Sequence, residues 1–166
     1  MIIYHGSDVF IKHPKIVNSD RYLDFGVGFY TTSNREQAER WAWKVSSRNN
    51  SSKQIISVYN FDLSGLKDNL KFIEYVEPDG VWLDFVVANR SGKVISKKYD
   101  LISGPVADDN VYLTIKLFES GVLNKDETIK RLKIEKLYNQ ILFHSIESLE
   151  YCSFDHYEIL PEKING

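Results

Sequence analysis

The chain has 166 residues, 43% of them hydrophobic, with 21 basic against 23 acidic residues and a formal charge of −2. A chain of that length buries a core of its own without disulfide or metal staples. No run approaches the ~20 apolar residues that cross a bilayer, and a nearly balanced charge gives the molecule as a whole no attraction for nucleic acid.

The first five residues have no basic stretch followed by an apolar one, so they are read as structure and not as a signal peptide. Residues 2–4 predict a short strand ending at His5-Gly6-Ser7. Residues 8–25 read as loop, with Pro14 and the polar run Asn18-Ser19-Asp20-Arg21. The flexible Phe25-Gly26-Val27-Gly28 opens a strand over 28–32, rich in aromatic and β-branched residues. Ser33 is the expected N-cap of a helix running to about Ser46, with Glu36 completing a capping box. Ala38, Trp41, Ala42 and Val45 would share its buried face, and Trp41 and Trp43, two apart, cannot both point inward.

After a polar turn at 48–53, residues 54–61 alternate as a strand. Residues 68–76 and 81–89 are expected helices, separated by Pro78 and Asp79-Gly80. Trp82, Asp84, Phe85 and Arg90 belong to the second of these and read as core plus surface. A buried strand at 99–103 closes on Gly104-Pro105. Two helices follow, at 110–119, capped by Asp108 or Asp109 and ended by Gly121, and at 125–133. A strand at 140–144, a short helix at 146–151 and a strand at 155–160 finish the chain. Strands and helices mix without strict alternation and without repeat or linker, so the expected class is α+β in one domain spanning 1–166.

Chemistry narrows quickly. The lone Cys152 excludes an internal disulfide and fits a reducing cytoplasm, and His5, His13, His144 and His156 stand singly, so no metal site is expected. Ten Tyr, nine Phe and three Trp can build stacking surfaces for a flat ligand as well as a core. Three places stand out. At Tyr4-His5-Gly6-Ser7 an imidazole can bond a ligand hydroxyl while bare backbone comes close beside it. In Asp24-Phe25-Gly26-Val27-Gly28-Phe29-Tyr30 two glycines one apart suggest a bend or a close approach, and Phe29 and Tyr30 point to opposite faces. Tyr138-Asn139-Gln140-Ile141 opens a late strand with a polar amide.

Together these segments resemble the ADP-ribosyltransferase superfamily, in the diphtheria-toxin and poly(ADP-ribose)-polymerase branch named for a His-Tyr-Glu triad. The resemblance rests on Tyr4-His5-Gly6-Ser7, on Phe25-Gly26-Val27-Gly28-Phe29-Tyr30 with Glu36-Gln37-Ala38 following, and on Asn139-Gln140-Ile141, in that order. The wording is also similar, over nearly the whole chain, to a bacterial group known only as a domain of unknown function. The resemblance implies a split mixed β-sheet core with flanking helices, and NAD+ as substrate. His5 would bond the adenosine-ribose 2′-hydroxyl, Gly6 the nicotinamide carboxamide, and Tyr30 would stack on the nicotinamide ring. Ser7 would hold the adenosine side or shape the turn, and Gly28 would let the backbone approach the ligand. Gln140 stands where the branch carries its catalytic Glu, and keeps hydrogen bonding without charge. Polymer formation is thereby disfavoured. Three functions remain in play: a cytoplasmic mono-ADP-ribosyltransferase with a macromolecular acceptor, as the toxin of a toxin–antitoxin pair; a non-catalytic NAD+ or ADP-ribose binder; or a purely structural domain. Asp108 or Asp109 would be the reserve carboxylate.

Overall fold

The structure is a computed structural model that describes residues 1–17, 23–93, 98–106, 109–134 and 137–161, and at 109 and 110 the backbone only. Its elements run β1 (Ile2–Ser7), β2 (Phe29–Thr31), α1 (Arg35–Arg48), β3 (Ile55–Phe61), β4 (Phe72–Glu74), α2 (Gly80–Arg90), β5 (Leu101–Pro105), α3 (Asp109–Glu119), α4 (Lys125–Ile134), β6 (Asn139–Phe143), α5 (Ile146–Leu149) and β7 (Cys152–Ile159). The architecture is α+β, with two sheets. One has the order β1-β3-β7 and is antiparallel; the other has the order β2-β6-β5-β4, antiparallel except for the parallel β4–β5 pair.

Period-two alternation sorts the side chains into layers. Ile3, Tyr59 and Phe61 of the first sheet meet Phe29, Leu101, Ile141 and Phe143 of the second in a core between the sheets. The outer face of the first sheet packs Ile56 and Val58 against Ala38 and Ala42 of α1. The outer face of the second, through Ile102 and Leu142, packs against Trp82 and Val86 of α2, Val111 and Ile115 of α3 and Leu132 of α4. The sheets are stitched where β1 passes β2. The Tyr4 amide donates to the Thr32 carbonyl at 2.8 Å, and the Thr32 amide donates back to Tyr4 at 3.0 Å.

Several expectations need correction. Residues 72–74, expected in a helix, form edge strand β4 beside β5. Phe72, Ile73 and Tyr75 suit a strand, and the Lys71 amide is caught by the Asp100 carboxylate at 2.9 Å. The N-cap of α1 is Asn34, whose side chain accepts the Gln37 amide at 2.9 Å. Ser33 is taken elsewhere, its hydroxyl donating to the Asn139 side chain at 2.8 Å. The capping box with Glu36 is therefore not made, and that carboxylate accepts from the Tyr138 hydroxyl instead. Trp41 is 44% exposed and leaves the buried face of α1 to Ala38, Ala42 and Val45. Asp79 caps α2 by accepting the Val81 and Trp82 amides, so that helix starts one residue early, at Gly80. Strand β1 runs on through Ser7, and β7 begins at Cys152. Gly121, at φ 76°, follows α3 as expected. Residues 18–21, Asp108 and the side chain of Asp109 lie outside the described residues. No helix among the described residues is long and apolar enough to cross a membrane.

Candidate functional site

Beside the Tyr4–Thr32 stitch opens a cleft of about 790 Å³, a size usual for small-molecule sites. One wall is made of strands: His5 and Gly6 from β1, Gly28 and Tyr30 at and before β2, and Gln140 from β6. Helices supply much of the rest: Gln37 and Trp41 of α1, and a helical wall in which Arg90 of α2 and Tyr112 and Lys116 of α3 stand beside Asp24. Residues more than 130 apart in sequence therefore share one concavity.

The strand wall is held from behind. His5 stacks on Phe29 with ring centroids 4.7 Å apart, and its Nδ1 is 2.7 Å from the Tyr30 carbonyl. A carbonyl only accepts, so Nδ1 carries the proton and Nε2 is left as an acceptor. Burial lowers the affinity of the imidazole for a second proton below the ordinary value, and the Tyr30 carbonyl only partly opposes this. A neutral ring with a fixed tautomer results. Gly6 is glycine for a packing reason. A Cβ there would stand 1.9 Å from the Ala38 carbonyl oxygen and 2.7 Å from the Ala42 nitrogen, because α1 crosses β1 at that point.

Tyr30 closes the turn that precedes it. Its hydroxyl donates to the Gly26 carbonyl at 2.7 Å and accepts from the Phe25 amide at 3.3 Å. Burial first, then the nearby Asp24, holds that phenol well above its ordinary pKa, so it stays protonated. Phe29, on the opposite face, is core. Gly26 sits at φ 89°, where a side chain is strained. Gly28 is required by β6: a Cβ would meet the Phe143 carbonyl oxygen at 2.3 Å. An imidazole nitrogen of His144 pairs with the Val27 carbonyl and pins the same turn from below.

Gln140 is placed by its neighbour. The Asn139 side-chain oxygen accepts from the Ser33 amide at 3.2 Å, the Ser33 hydroxyl at 2.8 Å and the Thr32 hydroxyl at 3.3 Å. The Asn139 carbonyl accepts a second bond from Thr32, at 2.7 Å. The start of β6 is thus fixed against β2 and α1. Gln140 is 7% exposed, and its Nε2 is buried with no hydrogen-bond partner in the protein. Buried donors are nearly always paired, so this one is an exception, in a residue that lines the cleft.

Sequence reasoning missed the helical wall. Arg90 Nε donates to Asp24 Oδ1 at 2.6 Å, with side chains only 11% and 13% exposed. The Asn89 amide holds the Asp24 carbonyl at 3.1 Å. The Arg90 guanidinium lies 4.9 Å from the centre of the Tyr112 ring, and Lys116 Nζ 5.6 Å from the same centre. Arg90 Nη1, like Gln140 Nε2, is buried without a partner. A basic residue ending a helix reads as an ordinary complement to the helix dipole, and that conceals the role.

Ser7 does not line the cleft. It is buried, and its hydroxyl donates to the Asp8 carboxylate at 3.3 Å. A smaller depression of about 410 Å³ is lined by Lys12, His13 and Cys152 among others. Burial pushes the Cys152 thiol up to about 12, which makes it a poor nucleophile. Among the described residues no group of three or more His, Cys, Asp or Glu is placed to hold a metal ion.

Residues 1–154 match the model of a family described as Protein of unknown function (DUF3990), and the chain belongs to that family. No curated protein and no solved structure matches it.

Proposed function

We propose that this chain is an NAD+-dependent mono-ADP-ribosyltransferase of the His-Tyr-Glu type, acting in the cytoplasm on a macromolecular acceptor as the toxin of a toxin–antitoxin pair. One observation carries the reading: His5, Gly6, Tyr30 and Gln140, from three distant segments, line one cleft in which Gln140 Nε2 lacks a partner. An acceptor-rich ligand such as a ribose supplies what that donor lacks. The neutral His5, with Nδ1 committed to Tyr30, offers Nε2 to a ribose hydroxyl. Tyr30, its hydroxyl occupied in the turn, offers its ring to the flat cationic nicotinamide.

In the reaction the bond between the nicotinamide nitrogen and ribose C1 breaks, its electron pair leaving with nicotinamide. The acceptor nucleophile then bonds to C1 and gives up its proton. Positive charge builds on the ribose meanwhile, and dipoles fixed in advance stabilise it. The role of Gln140 is to hold a ribose hydroxyl in that geometry.

A specific observation favours a second reading, a non-catalytic NAD+ or ADP-ribose binder. Gln140 carries no charge, and the acidic side chain among the described lining residues, Asp24, is engaged by Arg90.

Nicotinamide release from NAD+, followed with wild type and variants, separates the two. Catalysis predicts release by wild type and a loss of about one to two decades in Gln140→Ala, the cost of one buried polar partner at roughly 1–3 kcal/mol. Gln140→Glu raises the rate if charge at the ribose limits it. NAD+ binding without release establishes the binder, and neither binding nor release removes both readings. Co-purification with the product of an adjacent small reading frame tests the antitoxin.

A further inference from the structure

We propose that Arg90 is the anion-binding residue of the cleft and takes a phosphate oxygen of a nucleoside diphosphate, held ready for it by Asp24 and Tyr112. The inference deepens the NAD+ reading and borrows its ligand class from it, but its evidence lies in Arg90, Asp24 and Tyr112 and not in the strand residues.

A guanidinium is a planar fork whose edges can serve different partners. Here Nε is spent on Asp24 at 2.6 Å, which fixes the plane of the group. The Tyr112 ring, 4.9 Å from the guanidinium carbon, supports one face. Of the two terminal nitrogens, Nη1 is buried without a hydrogen-bond partner, in a residue that lines the cleft. A buried guanidinium N–H without an acceptor is costly, and a charged oxygen is its best match.

The surroundings favour an anion and not a neutral hydroxyl. Among the described residues of the lining the basic side chains are Arg90, Lys116 and Lys15, against the single acid Asp24. Lys116 is shared with Glu119 at 2.8 Å and stands over the same Tyr112 ring. Asp24 does not cancel the site. By engaging Nε it turns a flexible side chain into a positioned one, and it reduces what Arg90 loses by being buried before a ligand arrives. Asp24 also begins the turn that Tyr30 closes, so the phosphate position is tied by one residue to the stacking ring.

Calorimetric titration of the full chain with ADP, adenosine and nicotinamide tests this. Wild type is expected to bind ADP, with an affinity that falls as salt rises. Arg90→Gln is expected to weaken ADP roughly 10- to 100-fold, the range for a hydrogen bond to a charged group, and to leave adenosine and nicotinamide unchanged. Arg90→Lys, which keeps the charge but loses the fork, should fall between. Equal weakening of adenosine, or unchanged ADP affinity, overturns the proposal.

Because Arg90→Gln removes the nearly buried Asp24–Arg90 ion pair, the double variant Asp24→Asn/Arg90→Gln is titrated beside it, with thermal melts on both. Should neither fold, the wild type still decides. The guanidinium nitrogen resonances of Arg90 must shift on adding ADP and not on adding adenosine, and silence there overturns the assignment. Failure of the NAD+ reading looks different. NAD+ is then neither bound nor cleaved, while ADP binding keeps its dependence on Arg90.

Discussion

The two walls of the cleft solve opposite problems. On the strand wall, polar groups are tied back into the protein: His5 to a carbonyl, the Tyr30 hydroxyl into its turn, Asn139 to Thr32 and Ser33. Such a wall fixes shape, and it leaves His5 Nε2 as an acceptor and Gln140 Nε2 as a donor for a partner. The helical wall carries charge. Its Asp24–Arg90 pair is nearly buried, its aromatic support is exposed, and its spare donor sits on a guanidinium. Rigid shape suits a flat ring and a ribose, and charge suits an anion. On the proposed reading, such a division of labour would let one cleft take the nicotinamide and ribose on one wall and the anionic diphosphate on the other.

Changes on the strand wall should act first on the fold. The largest effect is expected from Gly6→Ala, whose methyl would collide with α1 backbone at 1.9 Å. Backbone cannot rotate away as a side chain can, so a loss of about 3 kcal/mol, the upper end for overpacking, should appear in urea unfolding. Gly28→Val is read the same way. It collides with β6, so lost ligand affinity would report a damaged fold and not a lost contact. A Gly6→Ala protein of wild-type stability would show that α1 does not clamp this wall.

Tyr30→Phe sharpens the contrast. It keeps the ring but frees the Gly26 carbonyl and the Phe25 amide, and should cost about 1–2 kcal/mol in stability. Nicotinamide release per folded molecule should stay near wild type. A collapse of turnover with unchanged stability would make the hydroxyl a participant in chemistry.

Acid should strain the strand wall through His5. Its folded-state pKa lies below the unfolded value near 6.5, so the protonated ring favours the unfolded chain. Stability is fully present above about pH 6.5 and declines as pH drops below it, by at most about 1.4 kcal/mol per pH unit for one proton. Melts from pH 8 to 5 on wild type and His5→Gln should show this share of the acid slope vanishing in the variant. An identical slope would place the titrating group elsewhere.

The smallest effect belongs to a pair outside both walls. Arg35 of α1 holds Glu158 of β7 with two donors and keeps that carboxyl down at about 2. The pair favours folding above the ordinary carboxylate range and is lost as pH falls toward 2. Both groups are well exposed, so solvent screening limits Arg35→Ala to about 0.5 kcal/mol, a shift of one or two degrees in Tm. Ligand affinity should not change.

The difference between the walls also explains what the sequence disclosed. The strand wall is written in short words: a His-Gly at a strand end, and a spaced glycine pair before an aromatic strand. Those local constraints are readable because backbone geometry imposes them residue by residue. Arg90 and Asp24, 66 residues apart, acquire meaning only when α2 is laid beside the glycine turn. Strand β4 was lost for the same reason, since a parallel edge strand takes its identity from a distant partner and not from its own periodicity. Ser33, the expected cap of α1, is drawn away by Asn139, 106 residues further on, and Asn34 caps the helix in its place.

That asparagine has a consequence in time. Its bonds to Thr32 and Ser33 close loops of 107 and 106 residues, so forming them must overcome the entropy of joining distant parts of one chain. Contacts of such separation slow folding, and a chain leaving the ribosome cannot make these until residue 139 has emerged. Until then His5 and Tyr30 have no Gln140 opposite them. Whatever the cleft does therefore waits until residue 140 has emerged and β6 has paired with β2.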